Sequence, residues 1–265
     1  MQVDGTFLTG KYHGTLLTVI SQDGNRNIFS LAFVIVEGET KEALIWFFQL
    51  LREHVTPQDN LCLIIDRGRA ILYALQSEEV GWEGDGLSSV YCIRHIASNF
   101  NKRFKNAELK RQLIDMGTFF SHYYHCVCSI YIHNFVCLNF FYIATTYEMK
   151  QPTLMAKLSA MLSEFQQAVS WIDQISLEKW TQAYDGGKRF GHMTTNLAEC
   201  INSVLKGTRS LPICAIVKTT FERRKNWFFE RGTKTECMLR ADYLYPEDIT
   251  AQLRKNEQQS AMCIV

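Results

Sequence analysis

Three acidic residues stand where the chemistry of divalent cations would need them. Asp4 lies in a first short strand, within the string VDGTF, and Asp66 directly follows the apolar run LCLII. Glu199 falls in the first turn of a helix predicted to open at Thr194-Thr195-Asn196. Two strand-end aspartates and one helix glutamate can hold two divalent cations, a pair that stabilises the attacking and leaving oxygens in phosphodiester cleavage. Mg²⁺ suits so sparse a set, because it prefers few carboxylates together with water and phosphate.

Spacing alone leaves simpler roles open for each of these acids. An aspartate at a strand end is commonly a turn former or a helix cap. Glu199 stands three residues after Asn196, which is the spacing of a capping box. It also shares the polar face of its predicted helix with Asn202, Ser203 and Lys206, and that face is equally typical of plain solvent-exposed surface.

The first hundred residues predict the sheet that would position these acids. Residues 16–21 and 28–36 are β-branched, apolar runs joined through an Asp-Gly pair, a strong hairpin signal. Residues 61–65 form a fully apolar run typical of a buried central strand, and a further strand is predicted over 88–93. With the intervening helices, the order β-β-β-α-β-α-β predicts an α/β fold with an antiparallel hairpin and parallel crossovers. Open α/β sheets bind ligands at the carboxyl ends of their strands, where Asp66 would lie.

Helical patterns account for most of the remaining chain. One helix is predicted from its N-cap Thr40 to just before Thr56-Pro57. Its predicted apolar stripe comprises Ala43, Phe47, Leu50 and Leu51. Further helices are predicted over about 70–78, from 147 to Trp180, over Asn196–Lys206 and over Ile213–Arg231, before a polar tail. Trp171 and Trp180 are interpreted as core or interface residues rather than base-stacking platforms.

The composition is that of a globular protein, with room for one large domain or two small ones. The chain has 265 residues, of which 47% are hydrophobic and 21% charged, so long disorder and collagen-like or Pro-rich classes are excluded. Nine cysteines without framework spacing, and a start without a signal-peptide pattern, predict reduced thiols in the cytosol or nucleus.

A charge gradient underlies the net charge of +1. Residues 1–100 carry 7 Lys and Arg against 12 Asp and Glu, whereas residues 101–265 carry 21 against 15. The acidic part could hold cations and the basic part could meet phosphates. The candidates for DNA contact are Lys102, Arg103, Lys105, Lys206, Arg223, Arg224 and Lys225. The alternative for this set is a solvated helix face.

Residues 118–146 break the pattern, because this stretch holds no Lys, Arg, Asp or Glu. Its Phe, Tyr, Cys, Ile, Val, Leu and Ser are the residues that T-rich codons encode, so it is interpreted as a retained intron or a gene-model error. A membrane-spanning or buried hairpin is the alternative, and scattered His and Asn residues without basic flanks count against a membrane span.

Five strings in the chain closely resemble the plant Mutator-like element (MULE) transposases. They are DGTFLTGKYHGTLL, AFVIVEGETKEA, VYCIRHIASNFNKRFKN, WIDQISLEKW and GHMTTNLAECINSVLKG. The resemblance covers about residues 2–117 and 147–232. It implies a ribonuclease H-like fold, a mixed sheet with flanking helices and a helical insertion before the last acidic residue. The implied domains are a first core part over 1–100, the insertion over 101–190, core helices over 191–232 and a polar tail over 233–265.

The resemblance also implies what the acids do. It assigns Asp4, Asp66 and Glu199 as a DDE triad that binds two Mg²⁺ or Mn²⁺ ions, cuts the ends of the element and joins them to target DNA. Water and then the freed 3′-hydroxyl are the implied nucleophiles. The family's CxxH element matches Cys92 and His95, for which zinc ligation is not expected, since two ligands do not close a zinc site. The resemblance further implies a nuclear protein that binds DNA, forms homo-oligomers and does not associate with membranes.

Some positions depart from the family pattern. The family usually has Ser-Asp-Arg-His at the second acid, whereas this chain has Ile65-Asp66-Arg67-Gly68, and Cys200 stands where serine is common. Asp4 lies only three residues from the start, so we expect a catalytic-domain fragment without the family's DNA-binding region, and activity of the fragment stays open. The alternative function is a domesticated, transposase-derived DNA-binding or transcription-regulatory protein without catalysis.

Overall fold

A computed structural model describes residues 1–82, 86–117 and 150–261 of the chain. Within these residues, five strands form one sheet in the order β3-β2-β1-β4-β5. The strands are β1 (Gln2–Phe7), β2 (Thr15–Gln22), β3 (Ile28–Val36), β4 (Leu61–Ile65) and β5 (Leu87–Tyr91). Strands β2 and β3 are antiparallel, while β4 runs parallel to both β1 and β5. The predicted mixed α/β sheet is therefore confirmed, and β4 is an inner strand, as its apolar sequence indicates.

Helices separate and follow these strands. They are α1 (Lys41–His54), α2 (Arg69–Leu75), α3 (Ile93–Phe104), α4 (Ala107–Gly117), α5 (Gln151–Glu164), α6 (Val169–Ile172), α7 (Leu177–Trp180), α8 (Asn196–Val204), α9 (Ile213–Arg240) and α10 (Glu247–Ala261). Short 3-10 turns occupy Glu78–Val80 and Gln166–Ala168. No helix in the described part of the chain is long and apolar enough to cross a membrane. The segment 118–146, with its intron and membrane interpretations, lies outside the described residues.

Helix α1 begins where the sequence predicts, but its buried stripe is shifted. The Thr40 hydroxyl accepts a hydrogen bond from the backbone N–H of Ala43 at 3.2 Å, as an N-cap should. The buried residues of α1 are Leu44, Phe47, Phe48 and Leu51. The prediction that Leu50 belongs to the buried stripe was therefore wrong. The residues that face the core follow the i, i+3, i+4, i+7 spacing that starts at Leu44, and this spacing leaves Leu50 exposed.

Contacts within the chain divide it into two compact units. The parallel unit comprises Gln2–Asp4 and Gly38–Cys200, and the hairpin unit comprises Met1, Gly5–Glu37 and Ile201–Val265. The first three residues of β1 after Met1 therefore belong to the parallel unit and the rest of β1 to the hairpin unit. All three acids of interest fall in the parallel unit.

The parallel unit holds a large aromatic core built on α3. Phe100 is fully buried, with its ring centroid 5.4 Å from that of Trp171 and 4.7 Å from that of Phe104. Helices α3, α4 and α5 and the chain up to Met193 share this core, and Trp180 is also buried in it. The interpretation of Trp171 and Trp180 as packing residues is confirmed. This core holds the end of β5 and the start of α3 in place.

In the hairpin unit the turn forms as predicted, and the last helix runs further than predicted. The Asp23 carboxylate accepts from the backbone N–H of Asn27 at 2.7 Å, closing the β2–β3 connection. Helix α9 continues nine residues beyond Arg231 to Arg240, and the polar segment after it forms α10. The sequence argument stopped at Gly232, but one glycine costs only about 1 kcal/mol in a helix. The buried side chain of Met238 offsets that cost.

Candidate active site

The register of the parallel strands aligns three candidate residues in one row. Gln2 pairs with Ile64, so Asp4 aligns with Asp66 two residues further along both strands. Ile65 pairs with Tyr91, so Asp66 aligns with Cys92 in turn. Aligned residues on neighbouring strands are about 4.8 Å apart and share one face of the sheet. Asp66 and Cys92 directly follow β4 and β5, whereas Asp4 is the third residue of β1, which continues to Phe7. The expectation that Asp4 ends its strand is therefore wrong, but the register still places two carboxylates and the buried Cys92 thiol in one row.

The Asp66 carboxylate is oriented by its own turn. Its Oδ1 atom accepts a hydrogen bond from the backbone N–H of Gly68 at 3.1 Å. A Cβ atom at position 68 would come within 3.0 Å of that same oxygen. The absence of a side chain at Gly68 therefore leaves space beside the carboxylate, and Gly68 also precedes the first residue of α2.

Cys92 and His95 form a hydrogen-bonded pair next to the two aspartates. Burial raises the pKa of the Cys92 thiol, but hydrogen bonds with His95 and Thr195 outweigh burial, so its pKa lies below the ordinary value. The pKa of His95 is raised to about 9, because the hydrogen bond to Cys92 and the negative charges of Cys92, Asp66 and Asp4 together outweigh burial, which lowers it. The imidazolium form of His95 is therefore favoured at neutral pH, and the charges of both aspartates stabilise it.

Glu199 lies in the first turn of α8, as predicted, and an arginine from the CxxH string contacts it. Arg94 Nη1 lies 3.6 Å from Glu199 Oε2 and donates to Asn196 Oδ1 at 2.6 Å. The start of α8 is also fixed to Cys92, whose sulfur accepts from the backbone N–H of Thr195 at 3.4 Å. Because α8 begins at Asn196 itself, this residue lies inside the helix, and its side chain binds Arg94.

The polar face of α8 differs from the solvent-exposed surface that was left open as an alternative. Asn202 is buried and accepts from the Thr18 hydroxyl at 3.1 Å within the hairpin unit. A plain solvent face is therefore wrong for this residue. Val204, an apolar residue of the same helix, is exposed.

The donor chemistry fits a divalent cation at the two aspartates. Carboxylate oxygens are the hard ligands that Mg²⁺ and Mn²⁺ accept, and Asp4 and Asp66 supply them from adjacent strands. Among residues 1–82, 86–117 and 150–261, however, no group of three or more His, Cys, Asp and Glu side chains lies close enough to hold one ion. The aspartates are thus brought together, while Glu199 contacts Arg94.

Two residues near these acids were missed by sequence reasoning. Burial and the negative charge of Asp66 both raise the pKa of Glu39, which places this carboxylate in the electrostatic surroundings of the aspartates. Arg94 stands between Cys92 and His95 in the string CIRH. The sequence signal that could have indicated Glu39 was its position just after β3. The signal for Arg94 was its position inside the CxxH motif, between Cys92 and His95.

Three of the candidates for DNA contact lie in the parallel unit, at the end of α3. Lys102 and Arg103 are exposed in its last turn, and Lys105 closes the helix with a left-handed backbone. Their charges therefore face solvent. DNA contact through them stays a prediction.

The candidates in the hairpin unit divide by their partners. Arg223 donates to the Val204 carbonyl at 3.0 Å, and Arg224 donates to the Leu31 carbonyl at 2.6 Å. Lys206 and Lys225 are exposed. The two arginines thus use guanidinium hydrogen bonds within the unit, which leaves the lysines as the more accessible charges.

Comparison with known proteins gives a family-model match over the first part of the chain. Residues 1–99 match the family model of the MULE transposase domain. The match covers Asp4, Asp66, Cys92 and His95, and it supports a MULE transposase, with DNA as the partner that such a domain implies. Glu199 lies beyond the matched residues. No curated protein matches the chain.

Proposed function

We propose that this chain is a DDE-type transposase domain that cleaves DNA strands at the ends of a Mutator-like element and transfers them in a metal-dependent reaction. The observation that carries the proposal is the parallel register that aligns Asp4, inside β1, with Asp66, directly after β4. The MULE transposase domain match over the same residues supports it. A ribonuclease H-like fold is proposed with it, supported by the strand order β3-β2-β1-β4-β5.

In this proposal the chain's own residues have distinct roles. Asp4 and Asp66 would hold the divalent cations, Mg²⁺ or Mn²⁺, and Glu199, whose carboxylate contacts Arg94, would be the third ligand. Bound ions of this kind supply charge stabilisation to the attacking and leaving oxygens of a phosphodiester. The His95 imidazolium balances the negative charge of the two aspartates before the ions bind.

The nucleophile is a water molecule in cleavage and the freed 3′-hydroxyl in transfer, without a covalent protein intermediate. The partners would be the ends of the element, the target DNA and further copies of the chain. The location would be the nucleus, where the DNA substrate lies.

The test is nicking of supercoiled plasmid by the full chain with Mg²⁺ or Mn²⁺. Asp66→Asn keeps the Oδ1 acceptor for Gly68 but removes the charge, so we expect nicking to fall by at least about 100-fold, because metal stabilisation of the transition state is worth several kcal/mol. The matched control is Asp59→Asn, which changes an aspartate just before the opposite end of β4 that pairs with Arg52 at 2.7 Å. Retained cleavage in Asp66→Asn, at an unchanged unfolding midpoint, would refute the triad assignment.

The second candidate function is a DNA-binding, transcription-regulatory protein derived from a transposase and lacking catalysis. The contact of Glu199 with Arg94 favours this second function, because the third acid is then paired with a guanidinium group. Sequence-specific DNA binding with no metal-dependent nicking, in both the wild type and Arg94→Gln, would support this second function.

A further inference from the structure

One aromatic side chain in the parallel unit is exposed far beyond its neighbours. Phe190 is 89% exposed, whereas Arg189 directly before it is 2% exposed. It stands in the loop Asp185–His192, in the string DGGKRFGH, where it is the one apolar side chain other than the glycines. Because Arg189 is buried and Phe190 next to it is exposed, the conformation of the loop keeps the Phe190 ring in solvent.

The backbone of the loop carries strain to display this ring. Phe190 has a φ of 51°, in the left-handed region that a bulky side chain rarely adopts. Gly186, Gly187 and Gly191 share positive φ values, which cost glycine nothing. A strained non-glycine residue persists where the surrounding contacts determine its conformation, and such residues concentrate at binding and catalytic sites.

The anchoring contacts of the loop are strong. The Arg189 guanidinium donates to the carbonyls of Tyr91 and Glu178, both at 3.2 Å. The Asp185 carboxylate accepts from the backbone N–H of Gly187 at 2.8 Å. Arg189 thus ties the loop to the last residue of β5.

The loop runs beside the candidate active site. Beyond Phe190, the carbonyl of Met193 accepts from the backbone N–H of Ile93, at the start of α3. The chain from Arg189 to Met193 therefore follows the end of β5, next to the Cys92 position that aligns with Asp66. The same segment continues into α8, where Glu199 stands nine residues after Phe190. Lys188, two residues before Phe190, is exposed as well.

We infer that Phe190 is a stacking platform for an unpaired base of the DNA strand that enters the site, with Lys188 against the adjoining phosphate. The inference rests on the proposed function and names how that site recognises its substrate. A single ring between a lysine and glycines matches a nucleobase next to its phosphate, because every base offers a flat π-face. A protein-docking patch would instead need contiguous apolar surface, which the sequence of this loop lacks.

The test measures DNA binding by the full chain in EDTA, by fluorescence anisotropy. The probes are a forked duplex with an unpaired arm and the same fork with abasic residues in that arm. Base stacking on an aromatic ring predicts that Phe190→Ala weakens binding to the intact fork by roughly fivefold or more and leaves the abasic fork unchanged. Phe190→Trp and Phe190→Tyr keep the affinity, while Phe190→Leu, which is apolar without a π-face, loses it. Lys188→Gln reduces the slope of log affinity against log salt by about one.

Two further variants separate stacking from structural effects. Phe229→Ala, on a 75% exposed phenylalanine of α9, is the matched control and should bind like the wild type. Phe190→Gly relieves the left-handed strain that Phe190→Ala keeps, so its unfolding midpoint should not fall below that of Phe190→Ala, while both variants lose binding. An unfolding midpoint of Phe190→Ala well below that of the wild type would overturn the inference, because the ring would then be part of the packing.

Other outcomes also overturn it. Wild-type affinity in Phe190→Leu, or equal losses on both forks in Phe190→Ala, would exclude base stacking. A changed sedimentation coefficient with unchanged DNA affinity would assign the ring to contact between copies of the chain. If the wild type and Asp66→Asn both fail to bind either fork, the proposed function itself fails, and that result is distinct from binding that is merely insensitive to Phe190.

Discussion

The two edge strands of the sheet, β5 and β3, are both closed by cationic side chains, but in different ways. At β5, Arg189 donates to the Tyr91 carbonyl, and Lys179 donates to the Ser89 carbonyl at 2.7 Å. At β3, Arg224 and Arg231 of α9 donate to the carbonyls of Leu31 and Ile28. Unpaired strand edges invite pairing with other chains, and covering them with charged side chains prevents it.

The difference lies in burial. The Arg189 side chain is completely buried, and burial lowers its pKa to about 10. At the other edge the guanidinium groups remain partly exposed and stack on aromatic rings, with Arg231 4.9 Å from the Phe29 ring centroid and Arg224 5.9 Å from that of Phe33. One edge thus depends on a fully buried arginine beside a half-buried lysine, whereas the other distributes its contacts along a helix.

The comparison predicts its largest effect at Arg189. Arg189→Met should lower the free energy of unfolding by about 3–5 kcal/mol, because it leaves the buried Asp185 carboxylate, 3.9 Å from Arg189 Nε, and two carbonyls without their cation. Urea denaturation measures this loss. The exposed neighbour is the control, since Lys188→Met should change the value by no more than about 0.5 kcal/mol. Equal losses in the two variants would contradict the conclusion that the buried Arg189 guanidinium is the main stabilising cation at this edge.

A smaller effect is expected at the β3 edge. Arg224→Met and Arg231→Met should each cost about 1–2 kcal/mol, from one charged hydrogen bond and a partly exposed cation–π contact. The exposed Lys225→Met serves as control in the same urea titrations. If the loss of either arginine lowered the free energy of unfolding as much as the loss of Arg189, the proposed difference between the two sheet edges would be wrong.

The smallest effect on stability is expected from a substitution at Cys92, directly after β5, but this substitution should clearly change the pKa of a neighbouring histidine. In Cys92→Ser the pKa of His95 should fall from about 9 toward its ordinary 6.5, because the hydrogen bond to sulfur is its main cause. A folded pKa above the unfolded one means that the imidazolium stabilises the fold fully below about pH 6.5 and loses this contribution as the pH rises through about 9.

Titration of the His95 ring by NMR checks this shift. Cys237→Ser, which changes an exposed cysteine of α9, should leave the pKa near 9. A His95 pKa that stayed near 9 in Cys92→Ser would show that Asp4 and Asp66, rather than the thiol, hold the proton on the ring.

The strands and the first helix were predictable because their signals are local. The Asp-Gly turn, the apolar run 61–65 and the Thr40 cap each depend on residues a few positions apart, and the structure has them at or within a residue or two of the predicted bounds. The end of α9 was not predictable in the same way. Gly232 reads as a stop, and only the burial of Met238 shows why the helix continues.

The same distinction between local and distant signals applies to the candidate site. Asp4 and Asp66 could be singled out because each follows or lies in a recognisable strand, and a parallel sheet brings strand ends to one edge. The contact of Arg94 with Glu199 joins residues 105 positions apart, and nothing in the local sequence of either residue predicts it. Phe190 was missed because exposure and a left-handed backbone leave no mark on hydrophobic periodicity.

By itself, then, the sequence determined the order of the strands, the hairpin and the position of Asp66 directly after a strand, since propensity, turn chemistry and apolar runs act over a few residues. Only the tertiary structure decided the register that sets Asp4 beside Asp66 and Cys92, the pairing of Cys92 with His95, and the burial of Arg189 beneath an exposed Phe190. Those features depend on which distant segments pack together, and packing is a property of the whole fold rather than of any one stretch of chain.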